Sequence, residues 1–408
     1  MHLLIRTFLA ADLLLLGTLA SVAAPEPKSS TEELVSQLVA DSQKHQIIRK
    51  SDPKDPLRVA ETMAVGLADD LSAYNRWMLE IIQQYVKKGQ IEEAEYLVGR
   101  LPGHGAAMAH AEMALHYARK QQKAEADTHL QSALRLADQA SGLPAEMART
   151  QCILALHHLD RSPEAAPQTD KLGKFALLSL ETQMHEEDLL APISVLDAKR
   201  QLVGVPEQGE DERRARFLLA CAKQHYQKGT GQVAQAFLEE VGAMSVQNGL
   251  PNAQHVLVDL ARVAWAGGNK DLARKSLNLF LKCCMAYGDG ADWKVLYLAD
   301  AVELLIEWNE MDEAREWLKA AEKSIPKIFV MDAPASMLAL ARQHERLGDT
   351  AAADQFVLLA AKSGASYNHP RVRAETSVRI ALYFFNVGKP MSEEVLQILS
   401  PDSAEAEK

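Results

Sequence analysis

Six times along the chain a turn residue is followed, five positions later, by a small one: Gly89 and Ala94, Gln121 and Ala126, Gly229 and Ala234, Gly268 and Ala273, Asn309 and Ala314, Gly348 and Ala353. The turns themselves read Gly267-Gly268-Asn269, Asn309-Glu310-Met311 and Gly348-Asp349-Thr350 within the best-written stretch, Gln254 to Lys362. A fixed offset repeated this often marks a tandem array, in which each unit buries its apolar side only against its neighbours.

The hydrophobic period says what the unit is. With the turn residue at position 15 and the small residue at position 20, positions 4, 7, 8 and 11 share one side of a 3.6-residue wheel. Those places hold Leu257, Leu260, Ala261 and Ala264 in one unit, and Leu298, Ala301, Val302 and Leu305 in another. Met78, Ile81, Ile82 and Tyr85 fill them upstream, as do Leu218, Cys221, Ala222 and His225. Small residues at 8 and 20 let two antiparallel helices cross closely. A larger side chain at Ala273 or Ala353 would overpack that crossing, at a cost of about 1–3 kcal/mol.

The pattern resembles the tetratricopeptide repeat. The unit His110 to Ala133 carries Ala114, Tyr117, Ala126, Leu130 and Ala133 in that family's places, and a second has Ala341, Gly348, Ala353, Val357 and Ala360. The resemblance implies an all-α, right-handed superhelical solenoid of antiparallel helix pairs, with ligands taken on a concave face. The steps from Ala234 to Ala273, Ala314 and Ala353 are 39, 41 and 39 residues, longer than the family's roughly 34. Longer helices, or loops such as Tyr287-Gly288-Asp289-Gly290, absorb the excess.

In chain order, residues 1–24 read as a secretory signal peptide: Arg6, an apolar run through Leu13 to Leu16, and the small residues Ser21 to Ala24 before Pro25. The chain is therefore expected to be exported, to the periplasm or beyond, with no membrane span after cleavage. Residues 25–56 form a linker and an N-terminal capping helix begun by Thr31-Glu32-Glu33. Helical repeats follow over 57–202, the first near Leu71. Ser162-Pro163 and Pro167 interrupt the place where a second helix with Ala166 at position 20 belongs, so that helix is expected to start near Thr169. Residues 203–210 read as a hinge, 211–399 as C-terminal repeats, and 400–408 as a disordered tail. The last pair has Ala381 and Gly388 but Glu393 at position 20, as a polar terminal cap would.

No catalytic motif stands out. The four cysteines at 152, 221, 283 and 284 include an adjacent pair and no CxxC, so free, mostly buried thiols are expected. Thirteen histidines show no metal spacing; His225 and His344, at position 11, are expected to pack. Gly103-His104-Gly105 reads as a loop, and Glu92-Glu93 and Glu186-Glu187-Asp188 as solvated helix starts. A net charge of −11 argues against nucleic acid, whose phosphates want a basic field. No cofactor, metal or enzymatic role is expected.

What remains is the inner row. Position 9 is Lys223, Arg262, Glu303 and Arg342 in consecutive units, and position 12 is Tyr226, Trp265, Ile306 and Glu345. Lys223, Tyr226, Arg262, Trp265, Arg342 and Arg346 are thus candidate peptide-binding residues, set against the simpler reading that the aromatics pack under neighbouring helices. The expected function is an exported, non-catalytic scaffold for protein or peptide partners. The alternatives are a structural subunit of an envelope assembly and a helical-toroid enzyme acting on polysaccharide. A closed ring with carboxylates in a deep funnel would favour the enzyme; an open superhelix would favour binding.

Overall fold

A computed structural model describes residues 55–399 except 204, 206–210, 248–252, 288–289, 330 and 368. Residues 1–24, read as a signal peptide, the capping helix expected from Thr31, most of the 203–210 stretch read as a hinge, and the 400–408 tail lie outside the described residues. Within them there are nineteen α-helices and no strands. The all-α solenoid of paired helices is what the chain builds.

After α1 (Pro56–Val65), nine helix pairs follow. The first helices are α2 (Leu71–Lys88), α4 (Gly103–Arg119), α6 (Leu143–His158), α8 (Lys174–Glu186), α10 (Asp211–Gln227), α12 (Ala253–Ala266), α14 (Asp292–Glu307), α16 (Ala333–Arg346) and α18 (Pro370–Val387). Their partners are α3 (Ile91–Val98), α5 (Lys123–Gln139), α7 (Ser162–Thr169), α9 (Val195–Gln201), α11 (Gly231–Gln247), α13 (Lys270–Ala286), α15 (Met311–Glu322), α17 (Thr350–Ala365) and α19 (Glu393–Leu399).

Every pair turns in the same way. The residue at position 15 is left-handed in all nine: Gly89, Gln121, Asp160, Asp188, Gly229, Gly268, Asn309, Gly348 and Gly388. At each, the next residue's N–H reaches back to the carbonyl at position 11, as from Gln90 to Tyr85, Arg161 to Leu156, Leu189 to Met184 and Lys389 to Phe384. This is a Schellman closure, which satisfies the orphan carbonyls of the helix end. In two units the next residue also caps the second helix: Asn269 Oδ1 accepts from Leu272 N at 3.1 Å and Asp349 Oδ1 from Ala352 N at 3.2 Å. Asp160 holds its left-handed φ of 59° without the freedom of glycine. Asp160→Gly is therefore expected to stabilise the protein by about 0.5–1 kcal/mol, read from the urea midpoint.

The alanines at the crossings are sealed: Ala94, Ala126, Ala234, Ala273, Ala314 and Ala353 are fully buried. The interrupted middle departs from expectation. The helix with two prolines starts at Ser162 and ends at Thr169, and Ala165, not Ala166, fills the crossing. Pro163 sits in its first turn, where no N–H is needed, and Pro167 holds it to eight residues. Gly103-His104-Gly105 opens α4, with Gly105 against the Asn75 side chain, and so is not a loop. Glu186, Glu187 and Asp188 end α8 where a helix start is expected. Across the 203–210 stretch one core continues, joining Leu178, Ala198 and Leu202 to Ala215 and Phe217.

The two ends of the array meet. α18 packs along α1, which also packs on α2. Arg76 pairs with Glu375 at 3.2 Å and Arg371 with Asp70. Arg379 lies 5.1 Å over the Trp77 ring and Lys88 5.6 Å over that of Phe385. The stack expected to be capped at each end is instead a closed circuit. The physical reason is apolar: Leu57, Ala60 and Ala64 of α1 and Val378, Ile380 and Ala381 of α18 are all buried, so the last pair is not a polar cap. Successive first helices touch all along the array, whereas contacts between successive second helices are sparse. The shorter inner circumference therefore belongs to the first helices.

Candidate functional site

The candidate row is mostly tied into neighbouring units. Arg262 bonds Glu307 of the next unit at 3.2 Å and sits 3.6 Å from Asp259 on its own helix. Arg346 reaches back to Glu303 at 2.7 Å. Trp265 stacks on Trp308 of the next unit, with centroids 4.4 Å apart and an 11° tilt between the rings. Lys270 and Arg274 cover that stack at 5.0 and 5.4 Å. Tyr226 fills the space beside Gly267: a Cβ on that glycine would stand 2.1 Å from the Tyr226 ring. Lys223 is exposed, and its charge acts on Glu186. Arg342 is half-buried and acts on Glu80 and Tyr383. So the two aromatics pack between units, and of the cations Arg262 and Arg346 are neutralised by a carboxylate one unit away.

The packing histidines are also placed. His225 stacks on Phe237 at 5.5 Å while its Nδ1 and Nε2 meet Thr230 Oγ1 and the Ile193 carbonyl at 2.7 and 2.8 Å. His344 stacks on Phe356 at 5.4 Å, with Nε2 2.8 Å from Glu322. All four cysteines are free thiols; burial pushes Cys152 and Cys221 up to about 12.

A row outside the sequence candidates carries the enclosed charge. Position 6 holds Glu80 on α2, Glu112 on α4, Asp259 on α12, Asp300 on α14 and Arg379 on α18. These groups sense charges beyond their nearest neighbours. Arg342 acts on Glu80 although the whole α18 unit stands between them, and Glu187 acts on Glu112 past the α6 unit. Burial raises the carboxyl pKa of Glu80 and of Glu112, with Arg342 and Arg119 opposing it from a distance. Asp259 is pushed up to about 7 by burial, against Arg216 and Arg262.

Glu80 accepts from Gln84 Nε2 at 2.8 Å, and the Gln83 side chain acts on Glu112 in the sense that favours its charged form. Among the described residues neither carboxylate has a cation at ion-pairing distance. Beside Glu80, the Gln84 Oε1 atom is buried with no hydrogen-bond partner. A desolvated carboxylate whose counter-charges, Arg342 and Lys87 for Glu80 and Arg119 for Glu112, stand beyond ion-pairing distance favours a cation that comes closer. Among the described residues, no group of three or more His, Cys, Asp or Glu side chains could hold a metal ion. No helix among them is long and apolar enough to cross a membrane.

No family model matches the chain, and no curated protein matches it. Among solved structures, a circular tandem repeat protein with novel repeat topology and enhanced subunit contact surfaces is similar at 14% identity, over 92% of this chain and 91% of that one. Its TM-score is 0.22, at which the likeness carries no argument, and the architecture rests on this chain's own helices.

Proposed function

We propose that the protein is an exported, non-catalytic scaffold that holds an extended, basic segment of a protein partner along its inner helices. Export is supported by the apolar start and small-residue run of residues 1–24. The observation that carries the binding reading is the pair Glu80 and Glu112: enclosed carboxylates on adjacent inner helices, with no cation at ion-pairing distance among the described residues. With Glu186, whose carboxyl pKa burial also raises, they are spread over α2, α4 and α8. A spread row suits a chain lying along it, whereas a reaction centre needs groups that converge on one atom. Of the cations in the candidate row, Arg262 and Arg346 are already paired to carboxylates, which moves the weight of the reading to the acidic groups.

Fluorescence anisotropy on the chain beginning at Pro25 tests this with labelled oligolysine and oligoglutamate decapeptides at low salt. Saturable binding of oligolysine only, weakened about tenfold by combined Glu80→Gln and Glu112→Gln, is expected. Equal affinity for both peptides, or an unchanged double variant, would remove the reading.

A second reading, a hydrolase acting on polysaccharide, is favoured by the closed circuit, the half of the ring-or-superhelix test that points to an enzyme. It is favoured also by the same two carboxylates, because a raised carboxyl pKa suits a general acid; no funnel that gathers them on one atom is part of the observation. Release of reducing ends from a glycan, lost in either single Gln variant, would favour it.

A further inference from the structure

On the outer side of α4, His110 faces His129 of α5 with their Nδ1 atoms 3.0 Å apart and ring centroids 5.1 Å apart. At that distance one proton lies between the rings, so one Nδ1 donates and the other accepts. The surroundings decide which. His129 turns its Nε2 to Glu95 of α3 at 3.7 Å, and Glu95 also accepts from the Tyr117 hydroxyl. A carboxylate on that side holds the His129 proton on Nε2 and leaves its Nδ1 bare, so His110 supplies the Nδ1–H. His129 is buried and stacks on Tyr117, with centroids 5.6 Å apart. The cluster thus joins α3 of the first unit to both helices of the second.

We propose that this imidazole pair is an acid-opened latch between the first two units, closed while one Nδ1 is bare and forced apart when both rings are protonated. The first proton from solvent can go to His110 Nε2, on the far side of the ring, leaving the Nδ1–H···Nδ1 bond whole. The second must go to His129 Nδ1. Two N–H groups then point at each other, and two cations face each other with Arg135 acting on His110 besides. The rings separate, and the Tyr117 stack and its bond to Glu95 are released with them. The charges acting on the pair are Glu95 from α3 and Arg135 from α5; among the described residues none acts from α2 or α6, which also pack on α4.

The direction of the pH effect follows. Burial, the partner ring and Arg135 bring His110 down to about 4. Burial also lowers His129, against the pull of Glu95. Both folded values lie below the unfolded one, so protons bind the unfolded or opened form first. The latch contributes fully above pH about 6.5 and is lost as the pH falls towards about 4.

Imidazole ¹⁵N NMR of the protein between pH 8 and 4, with hydrogen exchange followed over the same range, tests the latch. At neutral pH the spectra should show Nδ1–H on His110 and Nε2–H on His129. Below pH about 5, exchange in α4 and α5, corrected for its intrinsic pH dependence, should rise about tenfold relative to α14 and α15. In His129→Phe, which keeps a ring on Tyr117 but carries no proton, that rise should vanish. Titration of both rings near the ordinary value, both rings as Nε2–H tautomers, or an unchanged rise in the variant would each overturn the proposal. So would two bare Nδ1 atoms whose signals shift on adding a chelator, which would place a metal ion between the rings.

Discussion

Leu57→Asp is expected to lower the free energy of unfolding by about 3–5 kcal/mol, because it leaves a carboxylate without a partner in a fully buried place. The position matters as much as the burial. Leu57 stands on α1, the helix that α18 packs along, so the substitution strikes the one junction made by the two ends of the array. In a linear stack, damage to a first helix frays one end and leaves the remainder standing. In a closed circuit it frees two ends at once. Small-angle scattering should report a larger radius of gyration for the variant below its urea midpoint, with helicity mostly kept. An unchanged midpoint and radius would mean that the α1 to α18 contact contributes little to holding the array together.

Trp308→Ala should cost about 3–5 kcal/mol, the usual penalty for emptying a buried indole site. Trp308 is 6% exposed, is stacked face to face on Trp265, and is roofed by Arg274, whose two ion pairs with Glu310 and Glu313 lie at 2.9 and 2.7 Å. Removing it strips one unit's hold on the next, and the near-ultraviolet circular dichroism of the indole pair should disappear. Trp265→Ala should cost less, because Trp265 is only partly buried. If the two substitutions proved equally mild, the stack would be incidental to the junction between the units.

The extent to which the fold could be read in advance depends on which atoms make the signal. The crossings at Ala94, Ala126, Ala234, Ala273, Ala314 and Ala353 are local, since five residues separate cause and mark, and all six are buried. Three units escape that pattern. Asp160 and Asp188 take the left-handed place without being glycine, and Ile193 and Glu393 stand where alanine is expected. Aspartate tolerates that conformation through its short polar side chain, so an Asp in the ninefold spacing was the available signal. Closure was not legible at all: Arg76 and Glu375 are 299 residues apart. The same distance problem explains the inner row. Arg262 looks unpaired in sequence because Glu307 lies 45 residues on. Glu80 and Glu112 look like ordinary surface acids until the surrounding helices enclose them.

The junction of α1 with α18 has a consequence for how copies of this molecule can associate. A linear repeat stack presents two unsatisfied faces, and a second molecule can dock there and extend it into a filament. Here each of those faces is already spent on the other. Within the described residues, copies are therefore not expected to extend one another end to end, and would meet through lateral surfaces or rims instead.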